Sequence, residues 1–138
     1  MTFTGYQRPN GEVGIRNKLL LIAVDECCEG IVRTIARSCE EAVVLTNWLT
    51  CMLGGNEETF HQMIAVGRNP NVAGVLAVAM GCGSILPDQI ADPLRAAGVA
   101  VDTLVCQQAG GTRAAVEAGK KSEPSGLRKT ILLYNSLA

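Results

Sequence analysis

The chain has 138 residues, 48% hydrophobic and only 4% aromatic, and its 12 Lys+Arg against 13 Asp+Glu leave a net charge of −1. That length suits one domain with a real core, and the near-neutral balance removes the basic footprint that nucleic acid or an anionic membrane selects. No export signal opens the chain and no apolar run nears the ~20 residues of a membrane helix, so a cytoplasmic protein with neither nucleic-acid nor membrane partners is expected.

Six cysteines and a single histidine are present, with no C-x-x-C spacing. Without an export signal the cysteines read as thiols, and a closed zinc site has almost no support. A redox or thiol-transfer role rests on cysteine number alone.

Residues 1–17 carry the turn signal Pro9-Asn10-Gly11 between short extended pieces, which predicts a hairpin or a wrapped arm. Residues 18–24 (KLLLIAV) form an apolar run of strand length. From Gly30, the residues Ile31, Val32, Ile35, Ala36 and Cys39 recur at helical spacing, predicting a helix that ends near Glu40 with Cys39 on its inward face. A short strand over residues 42–45 follows. Asn56 is then a helix cap, Glu57 and Glu58 suit the positive end of the dipole, and Gly67 closes the helix.

The central strand is the unbroken apolar run of residues 72–79, which stops at Gly81-Cys82-Gly83. An apolar run without polar alternation suits a strand covered on both faces. Residues 87–90 predict one helical turn, and Asp92-Pro93 predicts the start of a separate short helix ending at Gly98. A strand over residues 99–105, a helix over 113–118 opened by Gly110-Gly111-Thr112, a polar connection over 120–128 and a last strand over 130–134 complete the reading.

Repeated strand-helix units imply an α/β fold: a three-layer, Rossmann-like, open and mainly parallel sheet with helices on both faces. The chain reads as a single domain over 1–138, with an arm (1–17), strand-helix units (18–119) and a terminal connection plus strand (120–138). Ligands of such sheets bind beyond the carboxyl ends of the strands. Four loops fall there, 25–28, 46–51, 81–84 and 106–112, each with a cysteine, and together they contribute Asp25, Glu26, Thr46, Asn47, Gln107, Gln108 and Thr112. Gly110 and Gly111 precede a helix whose free N–H groups suit a carboxylate or phosphate. His61 reads as a solvated helix residue and Trp48 as a loop anchor.

Gly5-Tyr6-x-Arg8-Pro9-x-Gly11-x-Val13-Gly14-x-Arg16-Asn17, Asn69-Pro70-Asn71-Val72, Gly81-Cys82 and Gln107-x-x-Gly110-Gly111-Thr112 together resemble the catalytic region of the altronate/galactarate dehydratase family. The resemblance spans nearly the whole chain. It implies a divalent-metal-dependent, usually iron(II)-dependent, lyase that removes water from sugar acids, with relatives that eliminate sulfite from sulfolactate. It also implies that Cys27 or Cys28, Cys82, Gln107 and Thr112 line the site. The chain departs from the family pattern at Gly83, where a glutamate is typical, and across 47–51, where a His-Gly-Cys sequence is typical.

The first expectation is therefore a sugar-acid hydro-lyase. Such a reaction needs a base for the α-proton and stabilisation of the enediolate and the leaving hydroxyl. Candidate catalytic residues are Asp25, Glu26 and Cys82, and candidate metal ligands are Cys28, Cys51, Cys82 and Cys106. Candidate substrate contacts are Arg16, Asn17, Thr46, Asn47, Gln107, Gly110, Gly111 and Thr112. The second expectation is a partial domain that binds a small acid or a partner subunit, or another copy of itself, and completes an active site only in an assembly.

Overall fold

A computed structural model of the chain describes residues 5–46 and 57–122. Asn47, Trp48, Cys51, Asn56 and the expected strand over 130–134 lie outside the described residues.

The arm is a hairpin in which β1 (Tyr6–Gln7) pairs antiparallel with β2 (Val13–Gly14). Its turn places Gly11 at a positive φ of 87°, which a glycine adopts without steric cost. The main sheet contains β3 (Lys18–Ala23), β4 (Ala42–Leu45), β5 (Val72–Ala79) and β6 (Ala100–Val105), all parallel, in the spatial order β4-β3-β5-β6. The helices are α1 (Glu29–Ala36), preceded by a 3-10 turn over Glu26–Cys28, then α2 (Glu57–Gly67), α3 (Pro87–Ala96) and α4 (Thr112–Ser122).

Strand alternation divides the core into two halves. Leu19, Leu21 and Ala23 point with Leu76 and Val78 toward α1 and α4, where Ile31, Val32, Ile35 and Ala115 meet them. Leu20, Ile22 and Val24 point with Val75, Ala77 and Ala79 toward α2 and α3, where Met63, Ile90 and Leu94 close the other side. The sheet is thus the middle of three layers, as its apolar run requires, and each fully buried Leu or Ile contributes about 1.5–3 kcal/mol.

From β3 the chain moves one way along the sheet, over α1, to β4. It then moves back, over α2, to β5. Opposite directions of travel with helices on opposite faces are what crossovers of uniform hand require. The direction reverses between β3 and β5, so a crevice at their carboxyl ends is the expected ligand position.

Four local expectations are corrected. Helix α1 ends at Ala36 rather than near Glu40, and Cys39 sits in the following turn, its N–H donating to the Ala36 carbonyl, while still packing against the α1/α4 half of the core. Gly67 is the buried last residue of α2, not a left-handed cap; a Cβ there would lie 2.9 Å from the Leu94 methyls, so its smallness serves helix packing. The two short helices expected around Pro93 are one helix, α3, with Pro93 inside it. Pro93 lies on the exposed face, and the buried stripe of Ile90, Ala91 and Leu94 runs past it, so continuous packing outweighs one missing hydrogen bond. Helix α4 runs on to Ser122, past the expected end at 118, with Ala115 and Gly119 buried.

Candidate functional site at the carboxyl edge

Loops 25–28, 81–84 and 106–112 follow β3, β5 and β6 respectively and meet at the carboxyl edge; Thr46 follows β4 at the outer side of the same edge. Backbone hydrogen bonds tie them together. Val24 N–H donates to the Val78 carbonyl at 2.9 Å, Cys106 N–H to Ala79 at 2.9 Å, and Gln107 N–H to Met80 at 3.1 Å.

Loops 25–28 and 106–112 supply a buried floor, and all three loops contribute to an exposed rim. Asp25, Cys28 and Cys106 form the floor, at 1%, 0% and 0% exposure, while Glu26, Cys27, Cys82 and Gln107 are exposed beside them. Asp25 Oδ2 accepts the Met80 N–H at 2.7 Å, and its Oδ1 is buried without a hydrogen-bond partner. The Cys28 and Cys106 sulfurs lie 3.8 Å apart. Burial pushes the Cys28 thiol far up from its ordinary range, and the neighbouring Asp25 carboxylate and Cys106 add to that. Burial also raises Cys106, partly offset by its hydrogen bond with Cys28. Both are held as neutral thiols, which are poor nucleophiles.

The rim depends on glycine. Gly81 has a positive φ of 107°, and a Cβ there would lie 2.9 Å from Val105 Cγ1 and 3.0 Å from Gln107 Oε1, so the turn presses directly on the Gln107 side chain. Gly110 and Gly111 have positive φ values of 98° and 100° and deliver the chain to Thr112, the first residue of α4. The first turn of α4 contains no acidic residue, so its positive end is left to an incoming anion.

A cleft of about 260 Å³ opens on the α2/α3 side, lined by Glu57, Phe60, Ser84, Ile85 and Gln89. Ser84 belongs to the same turn as Cys82. The starts of α2 and α3 form the rest of the cleft, residues that motif reading passed over because their chemistry lies in where two helices begin. His61 is exposed on α2 and faces Glu57 at 3.7 Å, as a solvated helix residue would.

Arg16 and Asn17 do not join this site. They immediately precede β3, at the amino edge, the opposite end of the strands. There Arg8, 7% exposed, donates from Nε to the Pro70 carbonyl at 2.6 Å, from Nη1 to Asn17 Oδ1 at 2.9 Å and from Nη2 to the Arg16 carbonyl at 2.9 Å. Asn71 Oδ1 accepts the N–H groups of Ile15 and Arg16, each at 2.9 Å. The opening motif and Asn69-Pro70-Asn71 therefore form one latch, and Asn17 spends its amide oxygen inside it.

A family model described as D-galactarate dehydratase/Altronate hydrolase, second domain, matches residues 5–129. The chain belongs to this dehydratase/hydrolase family. Among curated relatives, the (2R)-sulfolactate sulfo-lyase subunit beta of Chromohalobacter salexigens is 29% identical over 123 residues, covering 88% of this chain and 31% of that protein. The altronate dehydratase of Bacillus subtilis is 30% identical over 93 residues (59% of this chain, 19% of the relative), and that of Escherichia coli is 28% identical over 124 residues (75% and 23%). The chain thus spans less than a third of each of these relatives. No solved structure matches it.

The divalent metal implied by resemblance to the dehydratase family does not find a complete donor set here. Among the described residues no three His, Cys, Asp or Glu side chains converge to hold an ion. Of the candidate ligands, Cys28 and Cys106 are a buried pair, Cys82 is on the exposed turn, and Cys51 lies outside the described residues. The two buried thiols pack into the α1/α4 half of the core beside Asp25.

Proposed function

We propose that the chain is a sugar-acid hydro-lyase domain or subunit whose carboxyl-edge rim binds the carboxylate of an aldonic or aldaric acid. The observation that carries this reading is the joining of three loops into one rim: Cys82 and Ser84 on one side, Gln107, Gly110, Gly111 and Thr112 on the other. The start of α4 would take the carboxylate, and the Gln107 amide, pressed against Gly81, would orient a hydroxyl. Glu26 is the carboxylate of the Asp25-Glu26 pair that reaches solvent, so it is the better candidate to remove the α-proton; the β-hydroxyl would leave as water. Family membership and lyase relatives support the reaction class.

A second reading is favoured by the sulfo-lyase beta subunit, which aligns over 88% of the chain. In it the same rim holds a sulfonated hydroxy acid, sulfite leaves in place of water, and a second subunit completes the site. One assay separates the two: anaerobic protein with ferrous iron, with and without a co-expressed partner, is offered aldonic acids, aldaric acids and sulfolactate, and keto-acid and sulfite are followed. Dehydration of a sugar acid that falls at least tenfold in Glu26→Gln supports the proposal. Sulfite release alone selects the second reading, and turnover unaffected by Glu26→Gln and Cys82→Ser contradicts the rim assignment.

A further inference from the structure

We propose that Asp25 is a positioning residue: its buried carboxylate fixes the 81–84 turn through the Met80 N–H, and thereby holds that turn, at Gly81, against Gln107. This rests on the reading that the rim binds an acid. Asp25 immediately precedes the 3-10 turn at Glu26–Cys28, where an aspartate ordinarily caps the following N–H groups, yet it makes no side-chain cap hydrogen bond. Its Oδ2 instead reaches 55 positions along the chain to Met80 at 2.7 Å.

Met80 is the hinge of that connection. Its N–H is held by Asp25 and its carbonyl by the Gln107 N–H, so the peptide groups on both sides of this residue are fixed between two loops. The chain then turns at Gly81 with φ of 107° and passes over the carboxylate, where a Cβ on Gly83 would sit 3.4 Å from Oδ2. A hydrogen bond to a carboxylate is shorter and stronger than one to a neutral acceptor, so one oxygen holds the turn.

The other oxygen meets no partner at hydrogen-bond geometry, and the buried Cys28 thiol is the carboxylate's polar neighbour. Leaving a buried acceptor unmatched is costly, and such groups persist where a site demands them rather than where stability does. At 1% exposure the carboxylate has no path to a bound acid. Its influence on a ligand therefore passes through Met80 and the turn.

The test uses the full chain with Asp25→Asn and Asp25→Ala. An asparagine keeps an oxygen for Met80 and places an amide nitrogen where Oδ1 lacks a partner; alanine keeps neither. Three quantities are read: hydrogen exchange at the Met80 amide, the alkylation rate of Cys82 resolved by peptide mass spectrometry, and KM and kcat on the best acid. Asp25→Ala is expected to speed Met80 exchange and raise KM, each at least tenfold, with a smaller change in kcat. Asp25→Asn is expected to restore all three readings to within threefold of the parent.

If Asp25→Asn keeps Met80 protected but lowers kcat a hundredfold, Asp25 transfers a proton and the proposal is overturned. Unchanged Met80 exchange in Asp25→Ala overturns it equally. Should the parent protein turn over no acid, the proposed function fails, while Met80 exchange and Cys82 alkylation still decide whether Asp25 holds the turn.

Discussion

At the amino edge of the sheet, Arg8 directs three donors onto Pro70, Asn17 and Arg16, and Asn71 answers two neighbouring N–H groups. At the carboxyl edge of the same strands, Asp25 keeps an oxygen without a partner, and glycines hold two turns at positive φ beside exposed Cys82 and Gln107. At the amino edge these side chains spend their hydrogen bonds on the fold, beside a cavity of about 380 Å³ lined by Pro9, Asn10, Arg68 and Gly98, whereas at the carboxyl edge a buried carboxylate oxygen is left without a hydrogen-bond partner. Matched polar groups stabilise a fold, while unmatched groups on tight turns mark where a ligand is expected. Both edges carry family motif residues, so the motif alone does not distinguish a latch from a site.

The comparison breaks most visibly at Arg8. Arg8→Ala strands the Pro70 and Arg16 carbonyls and the Asn17 amide beneath the hairpin. It is expected to cost about 3 kcal/mol in urea unfolding while leaving acid affinity of the folded protein unchanged. A weakened affinity at full stability would move the latch into the site.

Alkaline pH attacks the floor instead. Cys28 and Cys106 are raised above an ordinary value of 9.0 in the folded chain, so the unfolded chain releases their protons first. Their stabilising contribution is complete well below pH 9 and is lost as pH rises through and above it, by up to about 3 kcal/mol near pH 10. Urea midpoints between pH 7.5 and 10.5 should show this decline, and Cys106→Val should roughly halve it. A flat profile would mean that the two thiols are not buried in the folded chain.

The turns sharpen the contrast further. Gly81→Ala, at positive φ and against Val105, is expected to cost about 1.5 kcal/mol. Gln107→Ala is expected to raise KM about tenfold, roughly 1.4 kcal/mol, with thermal stability nearly unchanged. Gly83→Ala, whose Cβ would meet Asp25 only at ordinary contact distances of 3.4 Å or more, should change stability by less than about 0.5 kcal/mol. Differential scanning calorimetry separates the two glycines directly.

Much of this architecture is legible in the sequence because its cause is local. The apolar runs at 18–24 and 72–79 are too continuous for a half-exposed strand, and strand 42–45 ends where expected. The gathering of loops at one edge follows from the repeated strand-helix order. What the sequence hides is distance and depth. Asp25 and Glu26 are adjacent and chemically alike, yet one lies under the 81–84 turn and the other in solvent; only the pairing of β3 with β5 decides which. Cys28 and Cys106 read as candidate ligands from their loops, and only the sheet shows that they are buried with their sulfurs 3.8 Å apart. Arg16 and Asn17 stand in the same opening motif, but the motif does not say which edge they occupy, and the fold puts them before β3 at the amino edge. The continuous α3 shows packing overriding a local proline signal.

The division between the two edges is the central claim, and an amide-resolved NMR titration of the full chain with galactarate tests it most directly. The account predicts shifts concentrated at Cys82, Gly83, Ser84, Gln107, Gly110, Gly111 and Thr112, with Arg8, Arg16, Asn17 and Asn71 unmoved. Shifts concentrated on the Arg8 latch, with the carboxyl-edge turns silent, would contradict it.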